Sequence, residues 1–112
     1  MTKIECILRP DRLEDVKTAL GKLGVPGMTI SQVMGCGLQK GHKEVYRGAE
    51  YNINLLPKVK IEIVVNDRHA DQVVDIVSKA ARTGEIGDGK IFVYPVANTM
   101  RIRTGEVGDM AI

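Results

Sequence analysis

Tryptophan is absent from the 112 residues, phenylalanine occurs once and tyrosine three times. The core must therefore be assembled from Val, Ile, Leu, Met and Ala. Cysteine is nearly as scarce: Cys6 and Cys36 stand 30 residues apart, without partners at metal-ligand spacing. Cys6 falls in an alternating apolar run and reads as a buried strand residue. No apolar run reaches the length of roughly 18 residues that a membrane span needs, and Met1-Thr-Lys-Ile-Glu5 is no signal-peptide core. A soluble, cytoplasmic protein in a reducing compartment is the expectation. Charge of one sign is lacking too: sixteen basic residues face fourteen acidic ones, a formal net charge of +2. That balance speaks against a nucleic-acid partner. Neither His42 nor His69 has a Cys, Ser or acid at a telling spacing, and acid-rich triads for two-metal chemistry are missing. The residues thus carry no enzymatic constellation.

The chain is the size of one domain, residues 1–112. A domain this small buries only about two-thirds of its unfolded surface, so an oligomer that covers more is expected. Residues 3–9 alternate as a strand, with Ile4, Cys6 and Leu8 on one face. Asp11-Arg-Leu-Glu14 has the form of a capping box. Leu13, Val16, Leu20 and Leu23 then give a helix with one apolar face, stopped at Gly24. Pro26-Gly27 turns into a second strand over 28–36. Residues 37–55 break every periodicity until Pro57 closes the segment, and an irregular stretch of this length inside a compact domain is usually functional or mobile. Val59, Ile61, Ile63 and Val65 alternate as a third strand. Asn66-Asp67 caps a second helix with Ala70, Val73, Val74, Val77 and Ala81 as its inner stripe. A fourth strand follows at 90–97. The order is βαβ-loop-βαβ, which predicts an α+β ferredoxin-like βαββαβ sandwich with a long loop between its second and third strands. The other face of that sheet, with Ile7, Val64, Phe92 and Val96, is apolar enough to pack against other subunits.

The turn before the fourth strand, Gly84-Glu-Ile-Gly-Asp-Gly89-Lys90, has the Gly-x4-Gly-Lys spacing of a P-loop in the wrong context. It follows a helix, enters a strand and continues with Ile91 instead of Ser or Thr. The physical content survives: Gly87 and Gly89 let backbone N–H groups crowd a phosphate, and Lys90 adds a point charge. Arg101 and Arg103 stand two apart in what reads as an extended tail, so both guanidinium groups project from one side and can clamp a polyphosphate.

Several long segments resemble the PII nitrogen-regulatory signalling proteins. Tyr46-Arg-Gly-Ala-Glu-Tyr51 matches their signature hexapeptide, and Thr83-Gly-Glu-Ile-Gly-Asp-Gly-Lys-Ile-Phe92 matches their second signature. Gly37-Leu-Gln-Lys-Gly-His42, Leu56-Pro-Lys-Val-Lys-Ile-Glu-Ile-Val64 and Arg101-Ile-Arg-Thr-Gly-Glu106 fit as well, along the whole chain. The resemblance implies a homotrimer that senses ATP, ADP and 2-oxoglutarate, not an enzyme; a small ATP-hydrolysing protein using the same site is the alternative. Nucleotide binding then falls to Thr29, Gly37, Leu38, Val64, Gly87, Asp88, Gly89, Lys90, Arg101 and Arg103. Gln39, Lys40, Gly41 and Lys58 match the 2-oxoglutarate site, with Gln39 also a Mg²⁺ ligand. Segment 37–55 corresponds to the T-loop, 82–90 to the phosphate-binding B-loop and 101–112 to the C-terminal segment. Through the T-loop the family grips an ammonium transporter or an enzyme of nitrogen assimilation, so contact with a membrane is indirect. Tyr51 matches the tyrosine modified by a uridylyltransferase. Ala49 stands where some relatives carry a phosphorylated serine, Leu38 where many carry a phosphate-binding arginine, and Cys36 replaces a common aromatic.

Overall fold

The computed structural model of the chain describes residues 1–36, 44–46, 49–51 and 55–112. Strand β1, Thr2–Leu8, follows its alternation: Ile4, Cys6 and Leu8 are buried while Lys3, Glu5 and Ile7 are half-buried on the opposite face. Helix α1, Leu13–Leu23, buries Val16 and Leu20 and packs Leu13 and Leu23 at the edge of the core. Its start differs from the capping box expected at Asp11. A 3-10 turn over Pro10–Arg12 occupies that position, and no side chain caps the helix. Pro10 sets the geometry there, because its fixed φ suits a first turn and its missing N–H needs no cap.

Strand β2 spans Thr29–Cys36, followed by β3, Glu44–Tyr46, and β4, Ala49–Tyr51. Strand β5 covers Leu55–Val65, α2 covers Asp67–Ala81 and β6 covers Gly89–Pro95. The main sheet runs β2-β5-β1-β6 with every pair antiparallel, the ferredoxin-like order. Both helices cover one face. There Ile4, Cys6, Leu8, Val59, Ile61, Ile63 and Val65 meet Val16, Leu20, Ala70, Val73 and Val77 in one cluster of aliphatic side chains and one thiol.

The segment read as irregular is partly ordered as strand. Glu44 pairs with Tyr51, Val45 with Glu50 and Tyr46 with Ala49. Strands of three residues are too short for a period-two pattern to register in the sequence. Residues 37–43, 47–48 and 52–54 lie outside the described residues, and so do the sites assigned to Gly37, Leu38, Gln39, Lys40 and Gly41.

Pro57 does not end that segment but sits inside β5, opposite Met34. The reason is topological: β1 pairs with β5 only from Val59 to Val65, so at Pro57 the strand has a neighbour on one side only, the edge-like position where a sheet tolerates proline.

At Gly89, where β6 begins, the φ is +103°, and an added Cβ would stand 1.7 Å from the Ile7 carbonyl oxygen. Backbone meets backbone, so no rotamer change relieves the clash. Gly21, on the exposed side of α1, has nothing within 4 Å of its Cβ position. Gly89→Ala should therefore destabilise the fold by more than about 2 kcal/mol, whereas Gly21→Ala should stabilise it by up to about 1 kcal/mol. Urea midpoints of the two variants against the parent protein check both signs.

Candidate functional site

The turn from α2 to β6 is built around one carboxylate. Asp88 accepts from the backbone N–H of Thr83 at 2.9 Å and of Gly84 at 2.8 Å, and from the Thr83 hydroxyl. Arg9, at the end of β1, donates from Nε to the same carboxylate at 3.0 Å and from Nη2 to the Ile86 carbonyl at 2.8 Å. These donors hold the Asp88 carboxyl well below the usual carboxylate range, with the Thr83 hydroxyl as the largest cause. The side chain assigned to nucleotide binding therefore faces its own turn. Its backbone N–H also turns inward, donating to the Glu85 carbonyl at 3.4 Å.

Gly87 has a φ of +102°, and its carbonyl accepts from Lys58 Nζ at 2.5 Å. A Cβ there would lie 3.3 Å from Arg9 Nη2 and 3.5 Å from Lys58 Nζ. Two cations from two strands thus converge on one peptide unit. Burial, and then the neighbouring Arg9 guanidinium, push the Lys58 ammonium below its ordinary value. On the sheet face away from the helices, Lys90 and Lys60 flank Ile7 in register.

A cleft of about 360 Å³ opens on this face, lined by Ile7, Gly35, Cys36, Leu56, Lys58, Ile86, Gly87, Gly89, Lys90 and Phe92. Its floor is apolar and its rim cationic, and glycine backbone enters from one side. Such a cleft suits an anionic head group on a flatter apolar body.

Thr29, Val64 and Arg101 gather elsewhere, in a second cleft of about 490 Å³ that also includes Lys3, Glu62 and Ile112. Thr29 stands opposite Glu62 in the ladder. Lys3 donates to Glu62 at 2.8 Å and lies 5.5 Å from the centroid of the Tyr94 ring. Both clefts use the same face of the sheet. Gly89 lies level with Leu8 and Val59, five residues from Val64, so the two clusters are separated by about 17 Å along the strands.

The tail is not extended at its arginines. Arg101 N–H donates to the Glu106 carbonyl and Gly105 N–H to the Arg101 carbonyl, both at 2.8 Å, and Met100 bridges to Val107. This tight turn overturns the extended geometry expected for Arg101 and Arg103. Arg101 lines the second cleft and approaches Glu106 at 3.7 Å, while Arg103 is exposed in the turn and lines neither cleft. Tyr51 lies in β4, and its side chain is outside the described residues. Among the described residues no group of three or more His, Cys, Asp or Glu is placed to hold a metal ion, and no helix is long and apolar enough to cross a membrane.

Sequence reasoning does not point to Arg9 as part of this site, and it includes Thr83 only as a member of segment 82–90. Arg9 was visible only as a charged residue continuing the alternation of β1, and nothing local pointed 79 residues ahead to its partner Asp88. Thr83 carried a fainter signal, a hydroxyl directly before the glycine turn.

The family model described as "Nitrogen regulatory protein P-II" matches residues 1–106 of the chain. The chain is 57% identical over 112 residues to the nitrogen regulatory protein P-II of Klebsiella oxytoca, covering all of both chains. It is equally similar, 57% over 112 residues and the full length of both, to nitrogen regulatory protein P-II 1 of Escherichia coli strain K12. The P-II protein of Pasteurella multocida is 54% identical, again over the full length of both chains.

A carboxyl stabilised in its charged form contributes to folding above its unfolded pKa and loses that contribution as the pH falls towards the folded value. Asp88 should stabilise the protein fully at neutral pH and progressively less below about pH 4. Asp88→Asn should consequently be less stable than the parent at pH 7, with the gap closing as the pH drops through that range. Urea midpoints of both proteins, compared across a pH series, check the direction.

Proposed function

The chain belongs to the nitrogen regulatory protein P-II family, and from that premise we propose that it senses ATP, ADP and 2-oxoglutarate and regulates transporters or enzymes of nitrogen assimilation through segment 37–55. It acts as a signalling protein and not as a catalyst. One observation carries the nucleotide part. The glycine turn brings backbone in left-handed conformation, Lys58 and Lys90 to the rim of a single apolar cleft. Left-handed glycines flanked by ammonium groups form an anion-binding concavity.

Within one copy the phosphate turn and the Thr29–Val64–Arg101 cleft stand about 17 Å apart along the sheet face, and we propose that two copies share each nucleotide site. A neighbouring copy that presents its second cleft to the first closes the site. Exposed apolar side chains are consistent with such packing: Phe92, Val93, Met100, Ile102 and Met110 are all open to solvent in the isolated chain, Ile102 almost completely. We assign a homotrimer as that assembly.

Lys58 then serves 2-oxoglutarate. Its ammonium already leans on the Gly87 carbonyl, beside the phosphate turn, so a dicarboxylate held there lies against the nucleotide. Mg²⁺, when bound, would be shared between nucleotide oxygens, the 2-oxo acid and Gln39, since this ion takes oxygen ligands and keeps few from protein. Sharing of that kind makes the two ligands interdependent.

The test is calorimetric. Lys90→Ala should weaken ATP binding by about one to two decades, the loss of one charge-assisted contact, with the oligomer intact by light scattering. Unchanged affinity removes Lys90 from the phosphate site. 2-Oxoglutarate should bind only with Mg-ATP present and should tighten ATP by the factor by which ATP tightens it. Tight binding of 2-oxoglutarate to nucleotide-free protein contradicts the shared site. Sustained phosphate release from ATP would favour the ATP-hydrolysing alternative.

A further inference from the structure

Arg9 has no place in the reading above, yet it touches both sides of the peptide that the reading depends on. Its Nη2 bonds to the Ile86 carbonyl at 2.8 Å and its Nε to the Asp88 carboxylate at 3.0 Å. Between those residues lies Gly87, whose carbonyl is held by Lys58. The guanidinium is 29% exposed and the Asp88 side chain 23%, so this pair is partly shielded from water, unlike a loose surface ion pair. A planar fork of donors reaches two acceptors in fixed directions, which an ammonium group cannot do.

We propose that Arg9 is the positioning residue of the phosphate turn: it locks Ile86 and Asp88 around Gly87 and so sets the direction of the N–H groups offered to a polyphosphate. It does this without touching the ligand. The same lock couples two binding events. Lys58 holds the Gly87 carbonyl while Arg9 holds the residues on either side, so the cation for a carboxylate and the backbone for a phosphate belong to one rigid unit. A turn that shifts on phosphate binding must carry Lys58 with it. This inference rests on the proposed nucleotide site for its functional readout, and on the turn alone for its structural one.

Three proteins decide it: the parent, Arg9→Gln and Arg9→Lys. Arg9→Gln should weaken ATP about tenfold, the effect expected when a charge-assisted contact stops holding the turn. The oligomer should persist, and the amide resonances of Gly84, Gly87 and Asp88 should move in the ligand-free protein. Arg9→Lys keeps the charge but not the fork, and should recover less than half of the lost binding on a logarithmic scale. Guanidinium ion at millimolar concentration should partly restore ATP binding to Arg9→Gln, and sodium chloride at equal ionic strength should not. Parent-like ATP affinity in folded Arg9→Gln overturns the proposal, as does full recovery in Arg9→Lys, because either result reduces Arg9 to an ordinary charge. Should the glutamine variant fail to fold, Arg9→Lys carries the same decision. If the parent itself binds no ATP, the proposed function fails, and the amide resonances still judge the lock: unchanged Gly84 and Asp88 signals in Arg9→Gln would overturn it.

Discussion

Strand β6 approaches β1 so closely at Gly89 that no side chain fits between them, and the position of everything in the preceding turn follows from that contact. An added Cβ would meet the Ile7 carbonyl carbon at 2.7 Å as well as its oxygen, and Leu8 Cα at 3.2 Å. The pairing of Leu8 with Gly89 is what brings the end of β1 alongside the turn. Arg9, the next residue, can then reach Asp88, and Lys58, across β5, can reach Gly87. Had the strands stood a side chain further apart, both cations would face water and the turn would have no external anchor. The glycine that looks made for a phosphate is required first by the sheet.

The same face of the sheet is electrically divided. At the end near the turn stand Arg9, Lys58, Lys60 and Lys90. Towards the other end Glu5 and Glu62 meet Lys3, with Tyr94 donating its hydroxyl to Glu5 at 3.3 Å. Lys3 is raised and Glu62 lowered from their ordinary values, each chiefly through the hydrogen bond that joins them. These exposed pairs are worth little to stability. Their consequence is spatial. Acid neutralises base at one end, where Lys60 also approaches Glu62 at 3.9 Å, and at the other the Asp88 carboxylate is consumed by the turn and by Arg9. Lys58 and Lys90 stand beside an apolar cleft floor, which is where an anion is drawn.

Elements with a repeating pattern were legible in the sequence, and contacts between distant segments were not. Alternation at Ile4, Cys6 and Leu8, and the stripe Ala70, Val73 and Val77, reported burial directly because each residue's environment repeats along its own element. The helix start at Asp11 was misread because Pro10 can open a helical turn without any capping side chain. Pro57 was misread because the rule against proline in a strand presumes neighbours on both sides, and here β1 ends before it. In the site, the glycines and Lys90 were visible from spacing, but the inward commitment of Asp88 was not, since a carboxylate in a phosphate turn looks the same in sequence whether it faces ligand or backbone. Arg101 and Arg103 show the opposite failure. A spacing of two implies a shared side only in extended chain, and the bonds from Arg101 to Glu106 and from Gly105 fold that stretch into a turn.

In the proposed function the arrangement of donors favours Lys58 over Lys90 as the residue that couples the two ligands. Lys90 stands on β6 with an unobstructed side chain, a point charge that can follow a phosphate without moving the backbone. Lys58 is partly desolvated and lies next to a second cation, so its ammonium is held in place by the Gly87 carbonyl at the cost of a weakened preference for charge. A dicarboxylate arriving at Lys58 relieves that cost by supplying a negative partner, and it competes with the Gly87 carbonyl for the same protons. In the function proposed for the chain, a carboxylate at Lys58 and a phosphate at the turn would therefore act on the same peptide unit, the one at Gly87.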